Sequence, residues 1–587
     1  MKLKYIAVSL GIAMTALTSC NDFLDVVPDT RVYLSNVEQL RELMVDGYMS
    51  TGYANVCELS SDNVIDNNSP SVSEVIYNKR AFSIADNQIY AWEDVTLAND
   101  NDTPSGLWSG CYSAIAVCNA VMEKIELWET DGTYEALTPT DQAKFKAVKG
   151  EALLSRAFHH WLLCNVFCMP YGSAADNQKN VGIPYVTKPE TTVKPHYERG
   201  TVGQDYEMIE KDLLAGLDLV DDQFYEVPKY HFNKAAAHAF AARFYLFKRE
   251  YDKVVAHANE AFKGNDPKTL MNDIWNKTNF YYISDMGRYF TSVDRPGVML
   301  CMSGYTSFWR RFVSSGRYAC NRDAKRATIQ GPGPSWYRCQ YINSKKQSFA
   351  MHPAFNGFCG TAGGQEYGAY FAGNAFEQFE YTDKLAGIGY THGVRAEFTA
   401  EETLLCRAEA YLFLGNIDAA FADLKVWDDA HRTDAVRAKD DRTQELTKDL
   451  IVGFYSKDGH VYDGSDGETP GYGIMVDFNI DRVCPSDKYH VTPEILPYLE
   501  CVQHYRRIET VHTGMRWFDI KRYGLSIPRK IGPYGRDTLQ VLDPRYAIQV
   551  PYDAISAGLD STRRVSTAAP ISSQAAVRPS EYKQVNF

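Results

Sequence analysis

The chain has 587 residues, 45% of them hydrophobic, with 61 Lys and Arg against 74 Asp and Glu, a net charge of −13. A surface of that sign repels phosphate backbones, which argues against nucleic acid as a partner. The apolar fraction is ample for a large packed core, and no stretch approaches the length of a membrane span, which excludes an integral helical membrane protein.

The opening MKLKYIAVSLGIAMTALTSCNDFLD places Lys2 and Lys4 before an uncharged run from Tyr5 to Ala16. At about 1.5 Å per residue that run is too short to cross a bilayer of roughly 30 Å, so it reads as an export signal. Small residues end it directly at a thiol, Leu17-Thr18-Ser19-Cys20, a pattern similar to a bacterial lipobox. The resemblance implies acylation of Cys20, and several acyl chains on one residue anchor a protein firmly where a single chain does not. Uncharged Asn21 favours outer-membrane placement.

In chain order, helical periodicity predicts helices over 36–47, 107–126, 141–168, 203–220 and 493–513. Two further segments, 234–262 and 400–427, are the same unit twice, with Tyr245-Leu246-Phe247 matching Tyr411-Leu412-Phe413 and Ala256 matching Ala422. Each reads as helix, turn, helix of the tetratricopeptide type, in which alanines allow close crossing and neighbouring units must stack to bury the apolar face. Between 280 and 390, aromatic residues make up about one in five against 13% overall, among many glycines and without helical period. That segment reads as a loop-and-short-strand insertion where binding is placed, some of its rings filling a small second core.

Cysteine spacing shows no tight paired framework, so most thiols are expected in the core; Cys301, Cys320, Cys339 and Cys359 leave room for one or two disulfides. His160, Cys164 and Cys168 share a helical face, but no fourth ligand is nearby in sequence, and core packing is expected with no metal assigned. The acidic loops 99–106 and 458–473 do not fit the calcium helix-loop-helix spacing and read as solvated turns. No nucleophile elbow, His-Glu-x-x-His, phosphate loop or dinucleotide fingerprint occurs. The stretch RRIETVHTGMRWFDIKRYG, 506–524, interleaves Arg506, Arg507, Arg516, Lys521 and Arg522 with Glu509, Asp519 and aromatics. Charges of both signs predict a lock of planar, hydrogen-bonded and stacked contacts at a helix end rather than a basic patch.

That stretch, with the lipobox, resembles the SusD/RagB family of outer-membrane lipoproteins, whose pattern Arg506, Arg507, Glu509, Gly514, Arg516, Trp517, Phe518, Asp519, Arg522 and Gly524 keep, with Thr510, Thr513 and Tyr523 departing from it. CNDFLDVVP at 20–28, SSDN at 60–63, GEALLSRAFHHWLLCNVF, GIPYVTKPETT at 182–192 and the two later repeats extend the likeness along the chain. The resemblance implies a mostly α, SusD-like fold, with tetratricopeptide-type pairs as scaffold and few short strands. It divides the chain into a signal peptide (1–19), a lipidated tether (20–35), an N-terminal helical part with repeats (36–279), a variable ligand-binding insertion (280–390) and a C-terminal helical part (391–587). It further implies a non-enzymatic, cofactor-free protein of the outer surface that captures oligosaccharide for a SusC-like TonB-dependent transporter. Peptide cargo, and a lipoprotein glycoside hydrolase with a carboxylate pair, are the alternatives.

A sugar presents an apolar ring face and a rim of hydroxyls, so its site pairs aromatic rings with fixed polar groups. The candidate platforms are Tyr90, Trp92, Trp309, Trp336, Tyr337, Tyr367 and Tyr370, and the candidate polar partners Asp62, Asn63 and Arg338. Asp62 and Trp92 have the best positional case, because early loops approach the site in the family; for the central aromatics, core packing or transporter contact competes with stacking.

Overall fold

A computed structural model describes residues 34–69, 75–96, 100–192, 196–271, 283–313, 316–320, 324, 333–335, 354–355, 371–372, 377–431, 444–455, 477–562 and 583–585. Helices dominate, and several begin where the sequence supplies a cap. Asn36 caps α1 (Val37–Met44), and α2 (Ala54–Ser60) follows. Thr103 and Thr138 accept backbone N–H groups ahead of Pro104 and Pro139, opening the long helices α3 (Pro104–Thr130) and α4 (Pro139–Phe167). A reciprocal Thr201–Gln204 capping box starts α5 (Val202–Leu217). The predicted end of α4 holds, since Cys168 turns extended two residues before Pro170.

Both repeat units form the expected antiparallel pairs, α6 (Lys234–Phe247) with α7 (Tyr251–Ala261), and α9 (Ala400–Phe413) with α10 (Ile417–His431). They are distant in sequence yet stack, α7 against α9, with the Tyr251 and Phe413 rings parallel at 4.5 Å. Buried Ala236, Ala237, Ala239, Ala241 and Ala242 let α6 approach its neighbours closely. The main core gathers Phe158 and Trp161 of α4, Phe240 and Phe247 of α6, Phe398 and Phe518 around these pairs.

The central segment contributes a three-stranded antiparallel sheet, β1 (Val298–Tyr305), β2 (Glu377–Asp383) and β3 (Ile388–Thr399), with β3 in the middle. Helix α8 (Phe308–Val313) follows β1. Strand β3 runs straight into α9, for which Thr399 is the cap, so the sheet is joined to the helical scaffold without a linker. Of the cysteines where bridges were expected, Cys301 is buried and its thiol donates to Thr291 O, Cys320 is also buried, and Cys339 and Cys359 lie outside the described residues. No helix among the described residues is long and apolar enough to cross a membrane.

Near the C-terminus α11 (Leu496–Glu509) turns sharply into α12 (Met515–Tyr523), and a hairpin of β4 (Ile527–Ile531) and β5 (Gly535–Leu539) follows. The turn depends on Gly514, at φ 89°, where a Cβ would lie 2.9 Å from a Tyr53 ring carbon and 3.0 Å from Cys57 Cβ. Gly514→Ala is therefore expected to lower stability by about 1–3 kcal/mol, read from the midpoint of urea unfolding.

Candidate functional site: an aromatic sheet face

Asp62, Asn63, Tyr90 and Trp92 come together, but inside the molecule. Asp62 receives Nε and Nη2 of Arg516 at 2.7 and 2.8 Å, and Arg507 donates to Asn63 Oδ1 and to Asp62 O, both at 2.9 Å. Burial would raise the Asp62 carboxyl, yet the Arg507 and Arg516 cations outweigh it and hold the group well below the usual carboxylate range. Tyr90 and Trp92 are buried, with the Arg529 guanidinium of β4 at 4.3 and 4.0 Å from their ring centres. Tyr318 covers Tyr90 as well, stacked at 4.4 Å, and the Trp92 indole N–H donates to Ser60 O at 2.9 Å. The two rings thus lack the open faces a sugar needs, and these four residues tie the early loop to the C-terminal helices. Trp336, Tyr337, Arg338, Tyr367, Tyr370 and Cys20 lie outside the described residues.

Trp309 is half-buried on α8, at the foot of the three-stranded sheet. Its backbone and the Arg310 guanidinium, at 3.1 Å, face Glu377, the first residue of β2. Burial, helped by nearby Asp102, pushes the Glu377 carboxyl up to about 7 against the pull of Arg310, and its Oε2 has no hydrogen-bond partner among the described residues. Asp102 ties the loop before α3 to this region by accepting from Thr306 Oγ1 and Ser307 N, both at 2.7 Å, and the 99–106 loop is thereby ion-paired through Arg311 rather than merely solvated.

From that foot the β2–β3 hairpin carries aromatic rings outward. Side chains alternate along a strand, which puts Phe379 and Tyr381 on one face, opposite Thr391 and Gly389. Their rings lie 4.9 Å apart and are 42% and 52% exposed as residues. Gly389 lies close against the partner strand: a Cβ there would sit 2.0 Å from Glu380 O and 2.8 Å from Phe379 Cε1. The other face presents Tyr390 and His392, with Tyr305 of β1 opposite His392 and its ring 4.9 Å from Tyr390. Phe379, Tyr381 and Tyr390 are not among the candidates taken from sequence, although the spacing Phe379-x-Tyr381 and Tyr390-x-His392 is a period-two signal.

Among the described residues, one recess lies at the sheet and a larger one away from it. One, at the base of the sheet between Tyr53, Arg243, Arg395 and Glu397, holds only about 90 Å³, well under the roughly 300 Å³ at which ligand pockets begin. Its charges are closed on one another, since Arg243 and Arg395 both reach Glu397, at 2.8 and 2.7 Å. The other, about 660 Å³, is walled by Trp108, Tyr112, Asn119, Lys188, Tyr197 and Leu559. Its Tyr112 and Tyr197 hydroxyls are spent on Pro184 O and Glu190.

Comparison with known proteins supplies the family context. Residues 22–246 match a SusD-like family model described as starch-binding and associating with the outer membrane. No curated protein sequence matches. Among solved structures, a SusD superfamily protein from Bacteroides thetaiotaomicron has a TM-score of 0.55 at 16% identity, covering 90% of this chain and 100% of its own. A SusD superfamily protein from Bacteroides fragilis gives 0.55 at 16%, covering 89% and 98%. A Bacteroides vulgatus protein described as a candidate sugar-binding protein gives 0.55 at 18%, covering 91% and 100%. Residues 22–246 are similar in sequence to the SusD-like family, and the chain shares the SusD-like fold along about nine-tenths of its length.

Proposed function

We propose that this chain binds an oligosaccharide at the outer membrane, where Cys20 tethers it, and passes it to a SusC-like TonB-dependent transporter without altering it chemically. The exposed Phe379 and Tyr381 rings carry the reading, because an aromatic face suits the C–H face of a sugar unit, and the two rings, nearly perpendicular at 76°, offer their faces in different directions. Trp309 and the Arg310–Glu377 pair at the foot of the hairpin supply polar and aromatic groups for the hydroxyl rim. Trp336, Tyr337, Arg338, Tyr367 and Tyr370, from the same insertion, are assigned to this site as further contacts. The family model's description as starch-binding and outer-membrane-associated supports the cargo class and the location. Each ring contributes about 0.5–1.5 kcal/mol, so Phe379→Ala with Tyr381→Ala should weaken glycan binding about tenfold or more. A glycan array on the purified protein finds the ligand and titration calorimetry measures the loss; unchanged affinity in the double variant would sink the site, and release of shortened glycan would sink the non-enzymatic reading.

A further inference from the structure

Cys164 and Cys168 lie one turn apart where α4 ends, and α5 brings Asp205 up to them from its first turn. All three are buried, and one ligand atom from each lies within 4.8 Å of the others. His160, which shares the helical face with both thiols, turns away: its Nδ1 meets Arg156 O at 2.9 Å and its Nε2 meets Val186 N at 3.1 Å. The third donor thus comes from 37 residues beyond Cys168, a distance no local spacing reveals. Gly182 leaves room for the carboxylate, since a Cβ there would overlap Asp205 Oδ2, and Ile183 N donates to that oxygen at 2.8 Å.

We propose that Cys164 Sγ, Cys168 Sγ and an Asp205 carboxylate oxygen form a binding site for a borderline divalent cation of the zinc class, with water as the fourth ligand. Two thiolates and a carboxylate are a donor set that zinc takes at about 2.0–2.3 Å in tetrahedral geometry. That geometry places donors roughly 3.5–3.8 Å apart, so closing the site asks for side-chain rotations of under an ångström or so. The surroundings fit an anionic metal centre. Lys521 donates to Asn165 O and Cys168 O at 2.5 and 2.7 Å, and Arg199 presents a buried Nη2 with no hydrogen-bond partner among the described residues. Zinc with three anionic ligands carries one net negative charge, which these two cations offset. On binding, the thiol and carboxyl protons leave to water and no electrons move.

The test uses the whole purified protein, stripped with a chelator and titrated with zinc, then with cobalt. The expected result is close to one zinc per chain by native mass spectrometry, a thiolate-to-cobalt charge-transfer band, and an X-ray absorption spectrum showing two sulfurs and lighter donors. Cys164→Ser with Cys168→Ser should abolish uptake, and Asp205→Asn should weaken it about tenfold or more. The absorption spectrum of the unaltered protein decides the matter even if the variants fold poorly. Absence of bound zinc at micromolar metal, uptake that survives all three substitutions in folded protein, or a Cys164–Cys168 disulfide in the protein as purified would each overturn the proposal.

Discussion

Arg522→Met is expected to destabilise the protein by about 3–5 kcal/mol, a large share of the 5–15 kcal/mol that folded proteins have. Arg522 lies in the last turn of α12 and is buried between two carboxylates. Its Nε donates to Asp519 at 2.7 Å and its Nη2 to Glu409 of α9 at 2.8 Å. Methionine keeps much of the stem's volume, so the loss is electrostatic: Asp519 retains Arg506 at 3.2 Å, but Glu409 retains only the Tyr523 hydroxyl among the described residues. Removing one member of a buried pair leaves a charge in the interior, whereas removing both leaves an apolar contact. Arg522→Met with Glu409→Leu should therefore cost far less than the sum of the single changes. Urea unfolding of the four proteins measures that coupling, and additive losses would contradict the account.

The second large effect is a loss of stability as pH rises from about 4.3 to about 7, centred on Glu58. This α2 residue is fully buried, and burial pushes its carboxyl up to about 7, against the opposing donation of Gly514 N at 3.0 Å and Asn63 Nδ2 at 3.2 Å. A folded value above the unfolded one means that the folded state holds the extra proton. Its contribution is complete below the unfolded value and is lost as pH climbs through the folded one. At about 1.4 kcal/mol per pH unit the loss is on the order of 3 kcal/mol. Glu58→Gln, neutral at every pH, should remove this component, so the difference between the two proteins' stabilities changes between pH 4 and 7. A difference that stays constant across that range would refute the assignment.

Much of the architecture could be read from residue patterns. The Tyr-Leu-Phe and alanine spacing of 234–262 and 400–427 became α6–α7 and α9–α10, and the mixed-sign stretch 506–524 became a lock built on Arg506, Asp519 and Arg522. Hidden from sequence were the partners of that lock, because the pairing of Arg516 with Asp62 spans 454 positions and no periodicity encodes it. The same physics explains why candidate ligand residues are found packed in the interior. Aromatic rings beside amides, carboxylates and arginine suit a sugar, and they equally suit a buried guanidinium, which needs acceptors at its edge and flat faces to stack on. Arg529 claimed Tyr90 and Trp92 for the second purpose. Trp309, by contrast, is half-buried on α8, beside Glu377 at the start of the exposed hairpin.

Synthesis runs from the N-terminus, and this imposes an order on the long-range pairings. Glu58 waits for Gly514, 456 positions later, Asp62 for Arg516, 454 later, and Leu59 for Arg529, 470 later. At about 5–20 residues per second the ribosome needs roughly half a minute to a minute and a half to supply them. Until then two carboxylates destined for the interior stay in water, and the surfaces they will anchor lack their covering. The molecule therefore closes late, its earliest loop clasped by nearly its last helix, and contacts of such separation place it among slow folders.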